Sequence, residues 1–293
     1  MLCNLCPRQC NAIRTQNENI GGVCRSPEEP RVARAALHFW EEPSISGTNG
    51  SGTVFFSGCS LHCVFCQNSD ISIKNKGKAV SVNELAYIFK TLENEGAHNI
   101  NLVTPTHYVH SIIDALDIYK PKIPIVYNSG GYESAETLKK LRGYIDIYLM
   151  DFKYIDDNKA RLYSHAVDYP QVCKSALLEA YSQQNECVFK DSIMQSGLIV
   201  RHLLMPGATR DAMACFDWVK ENTPNAYFSL MSQYLPLGSA KDMPIINRKV
   251  TRREYNKVVN YILDCNFYNC YIQELSSADK NFIPDFDYTG IKI

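Results

Sequence analysis

A short segment of the sequence, GCSLHCVFC, carries three cysteines at Cys59, Cys63 and Cys66. The segment follows at once on an apolar, strand-like run from Thr53 to Phe56. A structural zinc site normally takes four protein ligands in a closed tetrahedron, so three thiolates would leave its shell incomplete. Three thiolates do suit an iron–sulfur cluster in which one iron stays open to a substrate or a cofactor. The spacing therefore favours a redox-active cluster over a disulfide.

A second group of cysteines lies at the N-terminus, at Cys3, Cys6, Cys10 and Cys24. Four thiolates complete the tetrahedral shell of Zn²⁺, and they equally complete the ligands of a second 4Fe-4S cluster. We predict a second metal site here, and the spacing leaves zinc and 4Fe-4S equally open. The other five cysteines are scattered, and we expect them to be small core residues. They are Cys173, Cys187, Cys215, Cys265 and Cys270.

The composition restricts the class of protein. A chain of 293 residues with 45% hydrophobic content can build a large α/β core. Its formal net charge of -1 provides no basic field for nucleic acid or an anionic membrane, and we expect neither as a partner. The N-terminus lacks the apolar core of a signal peptide, so we predict a cytoplasmic protein. Twelve cysteines in a reducing cytosol then favour metal or redox chemistry.

The elements that must position these cysteines alternate in type after residue 50. The strand-like runs are Thr53–Phe56, Ile100–Val103, Ile123–Tyr127, Tyr144–Met150, Leu198–Met205 and Ala226–Met231. Helical patterns lie between them, at about 82–95, 107–119, 135–142, 171–183 and 211–221, with another at about 251–264. Capping boxes, Ser81 with Glu84 and Thr251 with Glu254, mark two helix starts. Apolar strands alternating with helices imply parallel strands joined by crossover helices.

Six such units are too few for a closed eight-stranded barrel, which leaves a partial barrel or an open doubly wound sheet. We predict an α/β fold: a partial (β/α)6 TIM-like barrel with a small N-terminal cysteine-rich metal-binding segment. The Gly- and Ser-rich stretch Ser44–Gly52 places the boundary between a head, 1–50, and the barrel with its C-terminal extension, 51–293. Within the head, the aromatic pair of HFWEEP, 38–43, is expected to pack, and Glu41 and Glu42 to be solvated.

The cysteine loop resembles the signature of the radical S-adenosylmethionine (SAM) superfamily, through its C-x3-C-x2-C spacing after the first strand and Phe65 before the last cysteine. The resemblance implies that Cys59, Cys63 and Cys66 hold a 4Fe-4S cluster whose fourth iron binds S-adenosylmethionine. Reductive cleavage of that cofactor would give a 5′-deoxyadenosyl radical that abstracts hydrogen. It also implies that no catalytic side chain is needed beyond the cluster and the cofactor.

Further motifs are similar to the pyruvate formate-lyase activating enzyme branch, in particular its small relatives with a cysteine-rich N-terminus. Asp151-Phe152-Lys153 resembles the Asp-x-Lys of that branch, Arg201 the arginine near the cofactor, and Asn128-Ser129-Gly130 the Thr-Asn-Gly segment. These matches imply a cofactor site made of Phe65, Thr104, Thr106, Asn128, Ser129, Asp151, Lys153 and Arg201. Thr104-Pro105-Thr106 departs from the usual Gly-Gly-Glu, so the carboxylate that meets the cofactor's amino group is missing.

Elementary physics supports two of these assignments. Asp151 and Lys153 are two residues apart on a strand and share one face, where they can pair or bind a zwitterion. Arg201 lies in an apolar run, where an unpaired guanidinium would be costly to bury, so it should meet Asp151 or a ligand carboxylate. His202 points to the other face and is expected to be a packed, hydrogen-bonded histidine.

Three functions follow from the sequence. The first is an activating enzyme that abstracts hydrogen from a glycine of a glycyl radical enzyme, its protein substrate, with flavodoxin or ferredoxin as electron donor. The second is a radical enzyme acting on a small molecule, another peptide or RNA, which the missing Gly-Gly-Glu favours. The third is a zinc-binding interaction module without catalysis, against which the intact cysteine loop argues.

Overall fold

The computed structural model describes residues 2–278 and 283–291. The strands in chain order are β1 Leu2–Cys3, β2 Ala12–Arg14, β3 Asn19–Ile20, β4 Arg31–His38, β5 Ser51–Phe56, β6 Lys78–Ala79, β7 Ile100–Val103, β8 Ile125–Ser129, β9 Ile147–Asp151, β10 Val188–Lys190, β11 Ile193–Leu203, β12 Tyr227–Met231 and β13 Cys270–Ile272. The helices are α1 Pro43–Ser46, α2 Ser69–Ser72, α3 Val82–Asn94, α4 Val109–Ile118, α5 Ala135–Lys140, α6 Asp157–Ser164, α7 Tyr169–Gln183, α8 Thr209–Asn222 and α9 Arg252–Asp264.

The main sheet is mostly parallel, as predicted. Its order is β13-β12-β11-β9-β8-β7-β5-β4-β6, with β10 paired to β11. In this spatial order, neighbouring strands from β5 to β13 are all parallel. Strand β4 is antiparallel to β5 and to β6, and β10 is antiparallel to β11. A doubly wound sheet reverses its strand order at a switch point, and this parallel part does not. Right-handed crossovers then place the connecting helices on one face, as in a partial barrel.

The two faces of the sheet differ in chemistry. The helix-covered face is apolar and includes Phe56, Tyr127 and Met150, all fully buried. On the opposite face, which we name the inner face, Leu149 and Ile199 pack with other buried residues, including one from α1. A second apolar group lies on this face at the carboxyl ends of β5 and β7. Because side chains alternate along a strand, the inner-face positions that follow Leu149 and Ile199 are two residues further on, and both carry charged side chains of the candidate site.

Both predicted capping boxes are present. In α3 the Ser81 hydroxyl accepts from the Glu84 amide at 3.3 Å, and the Glu84 carboxylate accepts from the Ser81 amide at 2.7 Å. Thr251 and Glu254 make the same reciprocal pair at the start of α9. An N-cap of this kind is worth about 0.5–2 kcal/mol, which is why these two helix starts can be read from the sequence.

The head is shorter than predicted. The antiparallel strands β1, β2 and β3 form a separate small sheet, but β4 belongs to the main sheet and buries Val32 and Ala35 in its core. The separate head therefore ends near residue 30, whereas the sequence placed the boundary at 50. The strand is RVARAALH, and its alanines have low strand propensity, so its pattern is weak. Across 2–278 and 283–291, no helix is long and apolar enough to cross a membrane.

Candidate active site at the carboxyl ends of the parallel strands

A cavity of about 200 Å³ lies at the carboxyl ends of the central strands, where parallel α/β folds place their ligands. The loop between β5 and α2 forms one wall, and the ends of β7, β8, β9 and β11 form the other. Most of the residues predicted from the sequence line it. They are Cys59, Cys63, Phe65, Cys66, Thr104, Asn128, Ser129, Asp151, Lys153 and Arg201.

The three thiols of the loop lie close together and are held in place by hydroxyl groups. The sulfur of Cys63 lies 2.9 Å from Ser164 Oγ, and that of Cys66 lies 3.2 Å from Ser72 Oγ. The Leu61 amide donates to the sulfur of Cys59 at 3.4 Å. Burial raises the pKa of all three thiols, to about 11 for Cys59, and each is raised further by a neighbouring thiol. The charge of Lys153 acts in the opposite direction and favours thiolates.

This donor set fits a cluster better than a single ion. In the described ranges, no three His, Cys, Asp or Glu side chains have the arrangement that holds one metal ion. A single tetrahedral ion needs its ligands to converge on one point, at about 2.3 Å for sulfur. A cluster of several irons instead takes each thiolate at a different iron. Three neighbouring thiols on one wall, facing a cavity, match the second requirement.

Arg201 is the centre of a buried ionic network on the opposite wall. Its Nε donates to Asp151 Oδ1 at 2.8 Å, and its Nη1 lies 3.0 Å from Glu41 Oε2. Its Nη2 donates to Asn128 Oδ1 at 2.7 Å. The second oxygen of Asp151 pairs with Lys153. Burial alone would raise the pKa of Asp151, but the two cations hold it below its usual value. The expectation that Arg201 meets a carboxylate is confirmed.

The prediction that Glu41 and Glu42 are solvated is wrong. The side chain of Glu41 is 11% exposed, and it accepts from the amides of Asn101 and Asn128 as well as pairing with Arg201. Glu42 is 8% exposed. The cause is β4, which carries the segment after it onto the inner face. Glu41 and Glu42 are the third and fourth residues after β4, so only a prediction that included this weakly patterned strand would have placed them at the sheet.

The two threonines of the Thr104-Pro105-Thr106 segment lie in different places. Thr104 lines the cavity, and its amide donates to the Asn128 carbonyl at 2.8 Å. Thr106 lies outside the cavity, and its hydroxyl donates to Glu133 Oε1 at 2.8 Å. Glu133 also accepts from the Tyr127 hydroxyl, and burial raises its pKa to about 7. Sequence reasoning did not identify Glu133.

Two buried histidines near the site, His107 and His202, are structural. His107 is buried in a one-turn helix, and its Nε2 lies 2.7 Å from the Ser57 carbonyl oxygen, directly before the cysteine loop. Burial lowers its pKa to about 3, so it is neutral. His202 is also buried, with Nδ1 2.7 Å from the Phe152 carbonyl oxygen. As predicted, His202 is a packed, hydrogen-bonded residue on the helix-covered face.

Thr104 has a left-handed backbone, with φ of 58°, which strains a β-branched residue. Thr104→Gly should remove about 1–2 kcal/mol of strain and lose about 0.4–1 kcal/mol through the freer unfolded chain. We therefore expect the free energy of unfolding to rise by about 0.5–1 kcal/mol in a urea titration. Thr106→Gly is the control. Its free energy of unfolding should fall by about 1–3 kcal/mol, because Glu133 loses a buried hydrogen-bond donor. A destabilised Thr104→Gly would contradict the strain.

The N-terminal head braces the back of the cysteine loop. Ser26 Oγ donates to the Ser57 carbonyl at 3.4 Å. Gly58 has φ of 91°, and a Cβ there would lie 2.9 Å from the carbonyl oxygen of Cys24. On the other side, Arg8 donates through Nε to the Ser60 carbonyl at 2.9 Å. The head therefore fixes the loop from Ser57 to Ser60, which explains how residues so far from the motif contribute to it.

Three of the four head cysteines interact. Burial raises the pKa of Cys6 to about 12, and the neighbouring Cys24 and Cys3 raise it further. Arg14 contacts the sulfur of Cys3 at 3.6 Å. Cys10 is half-buried and follows Cys6 on the loop between β1 and β2. As noted for the described ranges, these thiols do not have the arrangement of a formed metal site.

Comparisons with known proteins agree with this geometry. Residues 53–184 match the radical SAM superfamily, a range that begins in β5 and includes the cysteine loop. The chain is 32% identical over 271 residues to an uncharacterized protein of Methanocaldococcus jannaschii, covering 88% of this chain and 73% of that protein. Its fold is similar to the crystal structure of Streptococcus suis SuiB, with a TM-score of 0.52 and 14% identity, over 78% of this chain. That match spans half of SuiB, and it concerns the fold alone. With the family match and this relative, the chain belongs to the radical SAM superfamily.

Proposed function

We propose that the protein is a radical SAM enzyme with its 4Fe-4S cluster on Cys59, Cys63 and Cys66. Membership of the superfamily implies that the bound cluster and S-adenosylmethionine supply a 5′-deoxyadenosyl radical by reductive cleavage. One observation carries the proposal for these particular residues: the three thiols and the Asp151–Arg201 network line the same cavity. The chain itself would bind and orient the cluster and the cofactor, and would exclude water from the cavity.

The charged residues of the cavity suit a zwitterionic cofactor. Lys153 and Arg201 are cationic donors for a carboxylate, and Asp151 is an acceptor for an ammonium group. All three side chains are 13–15% exposed, so their charges act with little screening by water. Thr104 lines the cavity where the superfamily resemblance implies a glycine, and Asp151 is the carboxylate in place of the missing Gly-Gly-Glu.

The test of this function is the cofactor product. The chain is reconstituted anaerobically with iron and sulfide, then given a strong reductant and S-adenosylmethionine. We expect 5′-deoxyadenosine to form in amounts that grow with time and with enzyme concentration. If none forms above a sample without protein, the radical function fails, and a zinc-binding module without catalysis becomes the better description.

We further propose a place for the protein in the pyruvate formate-lyase activating enzyme-like branch, acting in the cytoplasm on a glycyl radical enzyme. The support is that Asp151, Lys153 and Asn128, the residues that carry the resemblance, line the cofactor cavity. A flavodoxin or ferredoxin would be the electron donor. The test is electron paramagnetic resonance: a glycyl radical signal should arise on a candidate partner enzyme only when both proteins and the cofactor are present.

A second candidate is a radical enzyme that acts on a small molecule. It is favoured by a separate cavity of about 360 Å³ beside Arg201, which gives a compact substrate a binding place next to the cofactor. Product analysis separates the two candidates, since a small substrate is consumed without any partner enzyme.

We also propose that the head cysteines bind a second metal, either zinc or 4Fe-4S. The support is that Cys3, Cys6 and Cys24 already interact, within a segment that packs on the cysteine loop. Cys6→Ser and Cys24→Ser should each remove this metal, seen by elemental analysis as a loss of about one zinc or about four irons per chain. Cys187→Ser is the control, because its half-buried thiol lies elsewhere, against the carbonyls of Leu198 and Asn225. Equal metal content in all three variants would refute a second site.

A further inference from the structure

The cavity of about 360 Å³ beside Arg201, which we name the side chamber, is built mostly by parts of the chain that do not line the cofactor cavity. The segment after β4 forms one wall, with Phe39, Trp40 and Glu42. The inner face of the last strands forms the other, with Ser229 and Tyr271. The side chamber and the cofactor cavity share Arg201 among their lining residues, so they adjoin one another.

Glu42 is a buried carboxylate that lacks a full set of partners. It is 8% exposed and lines the side chamber. Its Oε2 is buried and has no hydrogen-bond partner within residues 2–278 and 283–291. A buried polar atom left in this state costs about 1–3 kcal/mol, more when it is charged. Such a cost at the wall of a cavity indicates a ligand that donates a hydrogen bond.

The neighbouring charges do not neutralise Glu42. Arg201 is the nearest cation that the side chamber offers, but it is bonded to Asp151 and Glu41. The Arg201 guanidinium therefore already pairs with two carboxylates before Glu42 is considered. Burial raises the pKa of Glu42, and the charge of Arg201 opposes that shift. Counted with Lys153, the described network holds two cations and, once Glu42 is ionised, three carboxylates. A cationic ligand that donates to Glu42 would supply the missing positive charge and stabilise the ionised carboxylate.

The aromatic residues of the side chamber suit the same ligand. Phe39 is 48% exposed and Trp40 is 59% exposed, so both present ring surface near the opening. Tyr271 lines the chamber as well. Aromatic faces attract ammonium and guanidinium groups by about 0.5–2 kcal/mol, and most strongly when the cation is desolvated. A carboxylate inside and aromatic rings around it are the two parts of a site for an organic cation.

We infer that the side chamber binds a substrate through an alkylammonium or alkylguanidinium group that donates to Glu42 Oε2. The rest of that substrate then extends past Arg201 towards the cofactor cavity. The role of this ligand as the substrate of hydrogen abstraction rests on the proposed function. Binding of the cation in the side chamber is independent of that function.

The test is a binding titration of the full-length chain with n-butylammonium, n-butylguanidinium and the neutral n-butanol. Trp40 reports binding by its fluorescence, because the only other tryptophan, Trp218, packs against Phe152 in a different part of the fold. We expect a saturable change with the two cations and binding of butanol that is about 10–100-fold weaker, the effect of a charge-assisted hydrogen bond. Nα-acetyl-lysine amide and putrescine then distinguish a peptide from a free amine as the source of the cation.

Variants identify the group responsible. Glu42→Gln keeps the shape of the side chain and should weaken n-butylammonium binding about 10–100-fold. Glu95→Gln, on the exposed end of α3, is the matched control and should bind as the parent does. Phe39→Ala tests the aromatic part without touching a buried residue, and about 2–5-fold weaker binding is expected.

Two results would overturn the inference: equal affinity for n-butylammonium and n-butanol, or unchanged affinity in both Glu42→Gln and Phe39→Ala. Failure of the proposed function would look different. In that case no 5′-deoxyadenosine forms, while n-butylammonium still binds in a manner that depends on Glu42. The two proposals can therefore fail separately.

Discussion

Cys63→Ala is expected to reduce 5′-deoxyadenosine formation to the level seen without enzyme, and to remove about four irons per chain, those of one cluster. Cys63 is the middle thiol of the motif, and it interacts with the other two. Two cysteines cannot complete the ligand set that leaves a single iron open. The loss should therefore be one of cluster assembly, visible as missing iron and missing charge-transfer absorption before any assay.

The control for Cys63 must remove a thiol that is equally buried. Cys215, on α8, is fully buried in the helix-side core and does not line the cavity. Each Cys→Ala change should lower the free energy of unfolding by about 1 kcal/mol through lost packing. Cys215→Ala should nevertheless retain the iron and the activity. If both variants lose activity alike, the effect is one of stability, and the assignment of Cys63 to the cluster fails.

The cysteine loop and the parallel strands could be predicted because each has a strong local signal. Three cysteines at a fixed spacing after an apolar run identify the loop. The strands near Leu149 and Val200 contain continuous apolar runs, Ile147–Met150 and Leu198–Val200, as expected for buried strands. Asp151 and Arg201 interrupt these runs with a charge, and a charge at the carboxyl end of a buried strand already indicates a site.

Glu41 and Glu42 could not be found in this way because their role depends on tertiary structure. The preceding strand, β4, is rich in alanine and carries two arginines, so it has neither the length of apolar run nor the propensity of the others. Its pairing with β5 joins residues that are close in sequence, but its function is to carry the glutamates to Arg201, 160 residues away. Contacts of that range leave no periodic signal in a single sequence.

The position of β4 also changes the view of the head. The sequence suggested a metal-binding head, 1–50, separated from the barrel at the Gly- and Ser-rich stretch Ser44–Gly52. In the fold, the separate head of about 30 residues packs on the cysteine loop through Ser26 and Arg8, and β4 then supplies a wall of the side chamber. The first 50 residues therefore shape both cavities, although the superfamily match begins only at residue 53.

The second large effect is expected for Arg201→Leu, which removes the only cation bonded to Glu41 among the described residues. Glu41 would keep the amide donors of Asn101 and Asn128, and Asp151 would keep Lys153. Removing one partner of a buried ion pair typically costs about 3–5 kcal/mol, because the other charge stays buried without compensation. A urea titration should show a loss of that size at pH 7. Arg253→Leu, on the exposed surface of α9, should change stability by less than about 0.5 kcal/mol.

The pH dependence of this loss tests its cause. In the parent protein the cations hold the pKa of Asp151 below its usual value, so their stabilisation is present above the ordinary carboxyl pKa of about 4 and is lost as pH falls through the lower folded value. In Arg201→Leu, Asp151 keeps only Lys153, so its pKa lies closer to the usual value and less stabilisation remains to be lost as the pH falls. The difference in free energy of unfolding between the two proteins should therefore shrink as the pH is lowered from 7 to about 3. A difference that stays constant over this range would show that Arg201 stabilises the fold by packing alone, and the network would then not be the electrostatic centre of the site.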